Sequence, residues 1–145
     1  MPDSSHPLSP AQRRVLDGAL EVVRDQRRRV DLEVDDFNPV HIWATPFGLG
    51  YTVGVVDALC QVHGAPFDGM ALAVWALVLE DTFGRVQGDR LRQRGLDLLE
   101  AKDPDFNRGR PWGGNEAMGA AQGQHTPVGL VHLARGDEHR MGGAG

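Results

Sequence analysis

A run of ten consecutive apolar residues, Met70 to Leu79, constrains the fold of this chain more than any other feature of its sequence. Asp68 precedes the run as a helix N-cap, and Gly84 follows it as a residue typical of a helix end. A helix that is apolar on every side must be covered all round, so the run predicts a helix at the centre of the core. It is too short to cross a bilayer, which needs roughly 20 residues. We therefore expect no membrane partner.

Three further helices are predicted around this central one. Ser9, followed by a proline and then by Gln12, has the N-cap and capping-box pattern of a helix start. Thr45, also followed by a proline, starts a second helix that stops at Gly64. Residues 85–102 form the third, an outer helix on the central one. The sequence thus predicts a mainly α fold, a bundle of about four principal helices.

Two parts of the chain depart from the helical pattern. Apolar and polar residues alternate within 30–44, which favours a small β-hairpin or an extended segment. From Asp103 onward the chain is rich in glycine, which predicts a loop-rich C-terminal cover in which 128–134 form a short helix or a third strand. Residues 136–145 have the composition of a flexible tail. We therefore predict one helical domain over residues 1–135.

The charge balance limits the choice of partner and compartment. The formal net charge is −5, which argues against nucleic acid, because phosphate binding needs a positive face. Lys102 is the single lysine beside many arginines, a bias typical of a high-GC bacterium. The single cysteine, Cys60, excludes an intrachain disulfide, and the first residues show no secretory signal. We expect a cytoplasmic protein.

Arginines and carboxylates are interleaved on the polar side of the first helix. Glu21 stands three residues before Arg24, and Asp25 stands three residues before Arg28. Residues at this spacing are neighbours on a helix surface and pair with each other. The pattern predicts a solvated, self-neutralising face rather than a patch that binds anions.

Small residues recur every four positions in the second predicted helix, at Gly50, Gly54 and Ala58. Glycine inside a helix costs about 1 kcal/mol relative to alanine, so the pattern indicates that something approaches the backbone closely. We expect that this neighbour is another helix, and the alternatives are a ligand or a second copy of the chain. We predict that these residues form a contact surface and that the protein is a homodimer.

A ligand pocket is the competing prediction. Glu80 and Asp81 lie at the C-terminal end of the central helix, where the macrodipole disfavours negative charge, so they are acid/base candidates. Residues 107–115 combine arginine, tryptophan and glycine, as a loop that binds an anionic or planar ligand does. The expected ligand-binding residues are His41, Trp43, Arg108, Arg110 and Trp112.

Neither a metal nor a cofactor is predicted. The segment Asp103-x-Asp105-x-Asn107 resembles the opening of a calcium loop, but Arg108 stands where that loop needs glycine. The sequence therefore favours an interaction or accessory protein without catalytic activity, acting through helix or loop contacts. The alternative is a small enzyme or ligand-binding protein in which the polar groups named above converge on one pocket.

Overall fold

The computed structural model of the chain describes residues 8–33 and 40–121. Their six helices are α1 (Pro10–Glu33), α2 (Val40–Ala44), α3 (Pro46–His63), α4 (Gly69–Phe83), α5 (Arg85–Ala101) and α6 (Pro104–Ala121). No residue in the two described ranges belongs to a strand, and the predicted mainly α class is confirmed. None of these six helices has both the length and the apolar character that crossing a bilayer requires.

The helix ends follow the capping signals in the sequence. The Ser9 hydroxyl accepts a hydrogen bond from the Gln12 N–H at 3.1 Å, and the Gln12 side chain accepts one from the Ser9 N–H at 2.8 Å. Thr45 caps α3 by accepting from the N–H of Gly48 at 3.0 Å. Gly64 ends α3 in the left-handed conformation, with φ of 71°. The predicted capping box and the predicted bounds of α3 are confirmed.

The most buried helix is α3, so the prediction that 70–79 form the centre of the core is wrong. Thirteen of the eighteen residues of α3 are buried, against five of the fifteen in α4. Leu77 of α4 is 43% exposed. Three of the ten residues of the run are alanines, and two of these small side chains, Ala73 and Ala76, are not buried. Instead α3 contacts all five other helices, and the predicted four-helix arrangement around α4 does not form.

The pairing of α3 with α6 is the closest in the fold. Gly50 and Gly54 lie against the backbone of α6, while Gly109 and Gly113 lie against the backbone of α3. A Cβ atom at any of the four would stand 1.9 to 2.2 Å from a carbonyl oxygen of the facing helix. The prediction that a helix approaches the small residues of α3 is confirmed, and that helix is α6.

The predicted loop at 107–115 is wrong, because these residues lie inside α6. Glycine and proline lower the intrinsic helix propensity of this segment by up to several kcal/mol. Tertiary packing overrides that cost, because Gly109 and Gly113 let the two backbones meet. Asp103 adds a cap, its carboxylate accepting from the N–H groups of Asp105 and Phe106 at 3.0 Å.

The predicted hairpin at 30–44 is also wrong, because the described residues of that range, 30–33 and 40–44, are helical. The chain remains helical to the end of α1, and 40–44 form the short helix α2. Val30 is fully buried on the same side of α1 as Val23 and Gln26, so the helical period of the apolar face continues past the point where alternation was inferred. The predictions for 128–134 and 136–145, and the C-terminal limit of the predicted domain, lie outside the described residues.

Candidate interaction surface

Six charged residues follow one line along the side of α1 that points away from the core. All six are exposed, and we call them the α1 charged face: Arg14, Asp17, Glu21, Arg24, Arg28 and Asp31. Their spacing alternates between three and four residues, which keeps them on a single stripe of a helix. The opposite side of α1 carries buried residues such as Val15, Ala19 and Val23. The stripe therefore faces outward along most of α1.

Only part of this charge is neutralised within the chain. Arg24 pairs with Asp81 of α4 at 2.6 Å, with side chains 59% and 44% exposed. Within α1, Arg28 pairs with Asp25, and Asp31 lies 3.8 Å from Arg27. Exposed ion pairs of this kind contribute about 0 to 1 kcal/mol, because water and salt screen them. Both arginines can exchange partners at small energetic cost.

The N-terminal half of the stripe has no such partners among the described residues. Arg14, Asp17 and Glu21 form no ion pair with any residue in 8–33 or 40–121. Asp17 and Glu21 are four residues apart and carry the same charge, as do Arg24 and Arg28. Like charges at this spacing weaken a helix by about 0.2–0.5 kcal/mol per pair. Opposite charges three residues apart on the same stripe offset this repulsion, so the stripe is close to balanced within the helix.

Grooves with apolar residues border the stripe on both sides. A groove of about 370 Å³ between α1 and α4 is lined by Leu16, Leu20 and Leu77. On the other side a groove of about 890 Å³ between α1, α3 and α6 contains Leu20 and Val62. Leu77 and Val62 are each 43% exposed. Two of the three exposed large hydrophobic side chains in the described residues therefore lie beside α1, and the third, Val86, lies on α5 and is 66% exposed.

A buried polar cluster fixes α1 to the rest of the fold. Gln26 donates hydrogen bonds to the Tyr51 hydroxyl at 2.8 Å and to Glu116 at 3.3 Å. The Tyr51 hydroxyl donates to Glu116 at 2.5 Å. Burial, and then the neighbouring Glu116 carboxylate, raise the pKa of Tyr51 well above its ordinary value. The cluster joins α1, α3 and α6 and so holds the α1 charged face in a fixed orientation.

Sequence reasoning missed this cluster, although α1 carries a signal for it. Gln26 falls between Val23 and Val30 on the apolar side of the helix, where a polar residue must find a buried hydrogen-bond partner. Its two partners carry no comparable signal, because one lies in an apolar helix and the other in the glycine-rich segment that follows Asp103.

The predicted pocket residues lie in different parts of the fold. Trp43 is fully buried, with its ring 5.5 Å from that of Phe83, and His41 belongs to α2. Glu80 and Asp81 are exposed, and Asp81 is the partner of Arg24 on α1.

The arginines and tryptophan of α6 lie beside α3 or the helix connection that follows it. Arg108 stacks over Phe47 at 5.2 Å, and Arg110 lies over Phe67 at 5.9 Å and 3.8 Å from Asp57. Trp112 is half-buried against the core. The grooves lined by Glu80 and Asp81 contain none of the three α6 side chains Arg108, Arg110 and Trp112. The structure does not bring the two groups together.

The predicted contact residues of α3 face inward. Gly50 and Gly54 are buried beneath α6, and Ala58 is 5% exposed at the edge of the same helix pair. A second chain reaches the two glycines only by displacing α6. Contact with another protein therefore requires a different surface of this fold.

Metal-ligand and nucleophile chemistry find little support in the described part of the chain. No three His, Cys, Asp or Glu side chains within it are placed to hold a metal ion. Cys60 is 2% exposed, and burial, with Asp57 and Asp68 nearby, raises the pKa of its thiol to about 11. A protonated, covered thiol is a poor nucleophile.

Comparison with protein-family models, with curated proteins and with solved structures finds no match for this chain. The surface around α1 is therefore interpreted from its own geometry and charge.

Proposed function

We propose that this protein is an interaction protein without catalytic activity of its own, and that it binds another polypeptide through the α1 charged face and the apolar grooves beside it. The observation that carries the proposal is the position of Val62 and Leu77, each 43% exposed, on either side of the exposed charged stripe. Protein interfaces combine apolar contacts, which supply affinity, with charged groups, which select the partner.

A fixed helix is suited to this role. The cluster of Gln26, Tyr51 and Glu116 holds α1 against α3 and α6, so little conformational entropy is lost when a partner binds the outer side. The buried thiol of Cys60 fits action in a reducing compartment such as the cytoplasm.

The enzyme alternative has weaker geometric support. It requires Glu80 and Asp81 to face the side chains of Arg108, Arg110 and Trp112 across one pocket. Arg110 lines a groove that contains neither carboxylate, and Asp81 already has a partner on α1. We therefore favour binding through α1 over catalysis at the end of α4.

Site-specific photo-crosslinking tests the proposal. The photoreactive residue p-benzoylphenylalanine replaces Val62, beside the charged face, or Gln93, an exposed residue of α5 that serves as the control. Irradiation of cells that make the full chain is expected to give an adduct of defined mass from position 62 and none from position 93. The adduct should disappear when Asp17 and Glu21 are both changed to arginine in the same chain. Equal adducts at both positions, or an adduct that survives the charge change, would contradict the proposal.

A further inference from the structure

The charges of the α1 charged face have an order of signs that matches opposite charges when the same face is placed beside it in the reverse direction. From Arg14 to Asp31 their signs are plus, minus, minus, plus, plus, minus. Read from Asp31 to Arg14, the stripe has at every position the sign opposite to the one in the forward order. The complementary pairs are Arg14 with Asp31, Asp17 with Arg28, and Glu21 with Arg24. All three share one centre, between Val22 and Val23.

We infer that the partner of the α1 charged face is the same face of a second copy of this chain, with the two α1 helices antiparallel about a two-fold axis. The inference rests on the proposed function and names the partner for the same surface. A two-fold axis uses each complementary pair twice, so the contact contains six ion pairs. The spacing of three and four residues is that of helices packed along a shared seam, and in the antiparallel arrangement the two kinds of seam position face each other.

The charge pattern also excludes the neighbouring arrangements. A parallel pair would put every residue of the stripe opposite its own like charge. If one helix of the antiparallel pair slides by seven residues in one direction, Arg14 comes opposite Arg24. Asp17 then comes opposite Glu21, so both contacts join like charges. Sliding it the other way opposes Glu21 to Asp31 and Arg24 to Arg28. Like charges placed opposite each other select against these alternatives.

The present contacts of the stripe allow this exchange of partners. Arg24 leaves, or shares, an exposed pair with Asp81, Arg28 leaves Asp25, which keeps its second partner Arg29, and Asp31 leaves Arg27. Asp17 and Glu21 gain opposite charges where they have no ion pair with the other described residues.

The size of the surface predicts a weak, salt-sensitive dimer. A helix of 24 residues is about 36 Å long and about 10 Å wide, so α1 alone offers about 360 Å². A standard interface buries about 800 Å² on each partner. The apolar grooves with Leu20, Leu77 and Val62 must supply much of the difference.

Sedimentation equilibrium of the full chain tests the inference. In 0.1 M salt the wild type is expected to approach twice the chain mass of 15.8 kDa as its concentration rises. In 1 M salt the Debye length falls to about 3 Å, and the dissociation constant should rise by about tenfold or more. A wild type that stays monomeric in low salt, or a dimer that is indifferent to salt, overturns the inference.

Two charge-reversal variants identify the surface. Asp17→Arg/Glu21→Arg and Arg24→Glu/Arg28→Glu each place like charges opposite each other in four of the six pairs, so each alone should be monomeric. Their equimolar mixture restores all six opposite pairs and should form a heterodimer. General unfolding cannot produce this recovery. The control Asp97→Arg/Glu100→Arg makes the same charge change on the exposed side of α5 and should leave the dimer unchanged.

The outcomes separate this inference from the proposed function. Failure of the mixture to dimerise, with both variants folded by circular dichroism, overturns the antiparallel pairing. If the adduct from position 62 then contains a different polypeptide, the interaction function stands and the partner assigned here is wrong. If no adduct forms at position 62 either, both proposals fail.

Discussion

Two adjacent glycines of α6 differ in the space that a Cβ atom would have at each position. A Cβ on Gly113 would stand 1.9 Å from the carbonyl oxygen of Tyr51 on α3. A Cβ on Gly114 would have Gly54 and Ala58 as its nearest neighbours, at the ordinary contact distances of 3.5 and 3.8 Å. The first glycine is required by packing, whereas the second only lowers the helix propensity.

The prediction from this difference compares Gly113→Ala with Gly114→Ala. The first change should lower the free energy of unfolding by about 3 kcal/mol, because backbone atoms of α3 cannot move aside easily. The second should leave it unchanged or raise it by up to about 1 kcal/mol, the gain in helix propensity. Urea denaturation in 1 M salt measures both without a contribution from association. Equal effects would contradict the close pairing of α3 and α6.

Tyr51 is the only tyrosine, so its ionisation can be followed directly by the ultraviolet absorbance of the phenolate. Burial and Glu116 raise its pKa in the folded protein above the ordinary value of 10.0, which applies to the unfolded chain. Above pH 10 the unfolded chain therefore loses a proton that the folded protein keeps, and the free energy of unfolding falls as pH rises. Native protein should show no phenolate at pH 10, whereas protein in concentrated urea should show about half.

The variant Tyr51→Phe provides the control for this titration. It removes the phenolate signal and reduces the loss of stability above pH 10. The Cys60 thiol, with its pKa raised to about 11, still contributes a loss that begins at lower pH. Phenolate at pH 10 in the folded wild type would show that Tyr51 is accessible to water and would contradict the buried cluster.

At the scale of elements, the sequence predicts where a helix begins and ends better than it predicts which helices pack against it. The caps at Ser9, Thr45 and Asp68 are local, since each depends on residues within about three positions, and all three are observed. The helix at 104–121 has a local start signal at Asp103 and Pro104, but its glycine-rich interior is helical only because it packs on α3, more than 40 residues earlier. The same dependence on distant residues explains why the centre of the core was predicted at 70–79 and not in α3. The hydrophobicity of a helix does not show which helix the others surround.

The candidate site was predicted even less completely. Sequence reasoning identified the interleaved charges of α1 but took them as neutralised within the helix. The structure shows Arg28 paired in this way, whereas Arg24 turns to Asp81, and Glu21 has no ion pair with a described residue. Which carboxylate an arginine reaches depends on the neighbouring helix, and the sequence does not supply that position.

Pro111 provides a prediction at the scale of one helix. It lies in the interior of α6 and is exposed. Proline there removes a backbone hydrogen bond and costs about 3 kcal/mol relative to alanine, so Pro111→Ala should raise the free energy of unfolding by about 1–3 kcal/mol. Pro104, at the first position of the same helix, is favourable, and Pro104→Ala should give no gain. Urea denaturation compares the two variants, and a loss of stability in Pro111→Ala would show that α6 needs its proline.

At the scale of the whole molecule, the proposed self-association through α1 predicts that thermal stability depends on protein concentration. A partner that binds only the folded chain stabilises it by mass action, and a hundredfold increase in concentration above the dissociation constant adds about 2.7 kcal/mol per dimer. Shared between two chains of this size, that stabilisation should raise Tm by about 4 °C. The rise is expected in 0.1 M salt and should be lost in 1 M salt.

The charge-reversal variants determine whether this shift comes from the α1 charged face. For Asp17→Arg/Glu21→Arg alone, Tm should not depend on concentration. This variant is expected to be monomeric, so its unfolding is not coupled to dissociation. Mixed with Arg24→Glu/Arg28→Glu, the same variant should regain the dependence, since each chain then offers the charges that the other lacks. Differential scanning fluorimetry across the concentration series measures both. A concentration-dependent Tm in the single variant would place the contact on another surface of the fold.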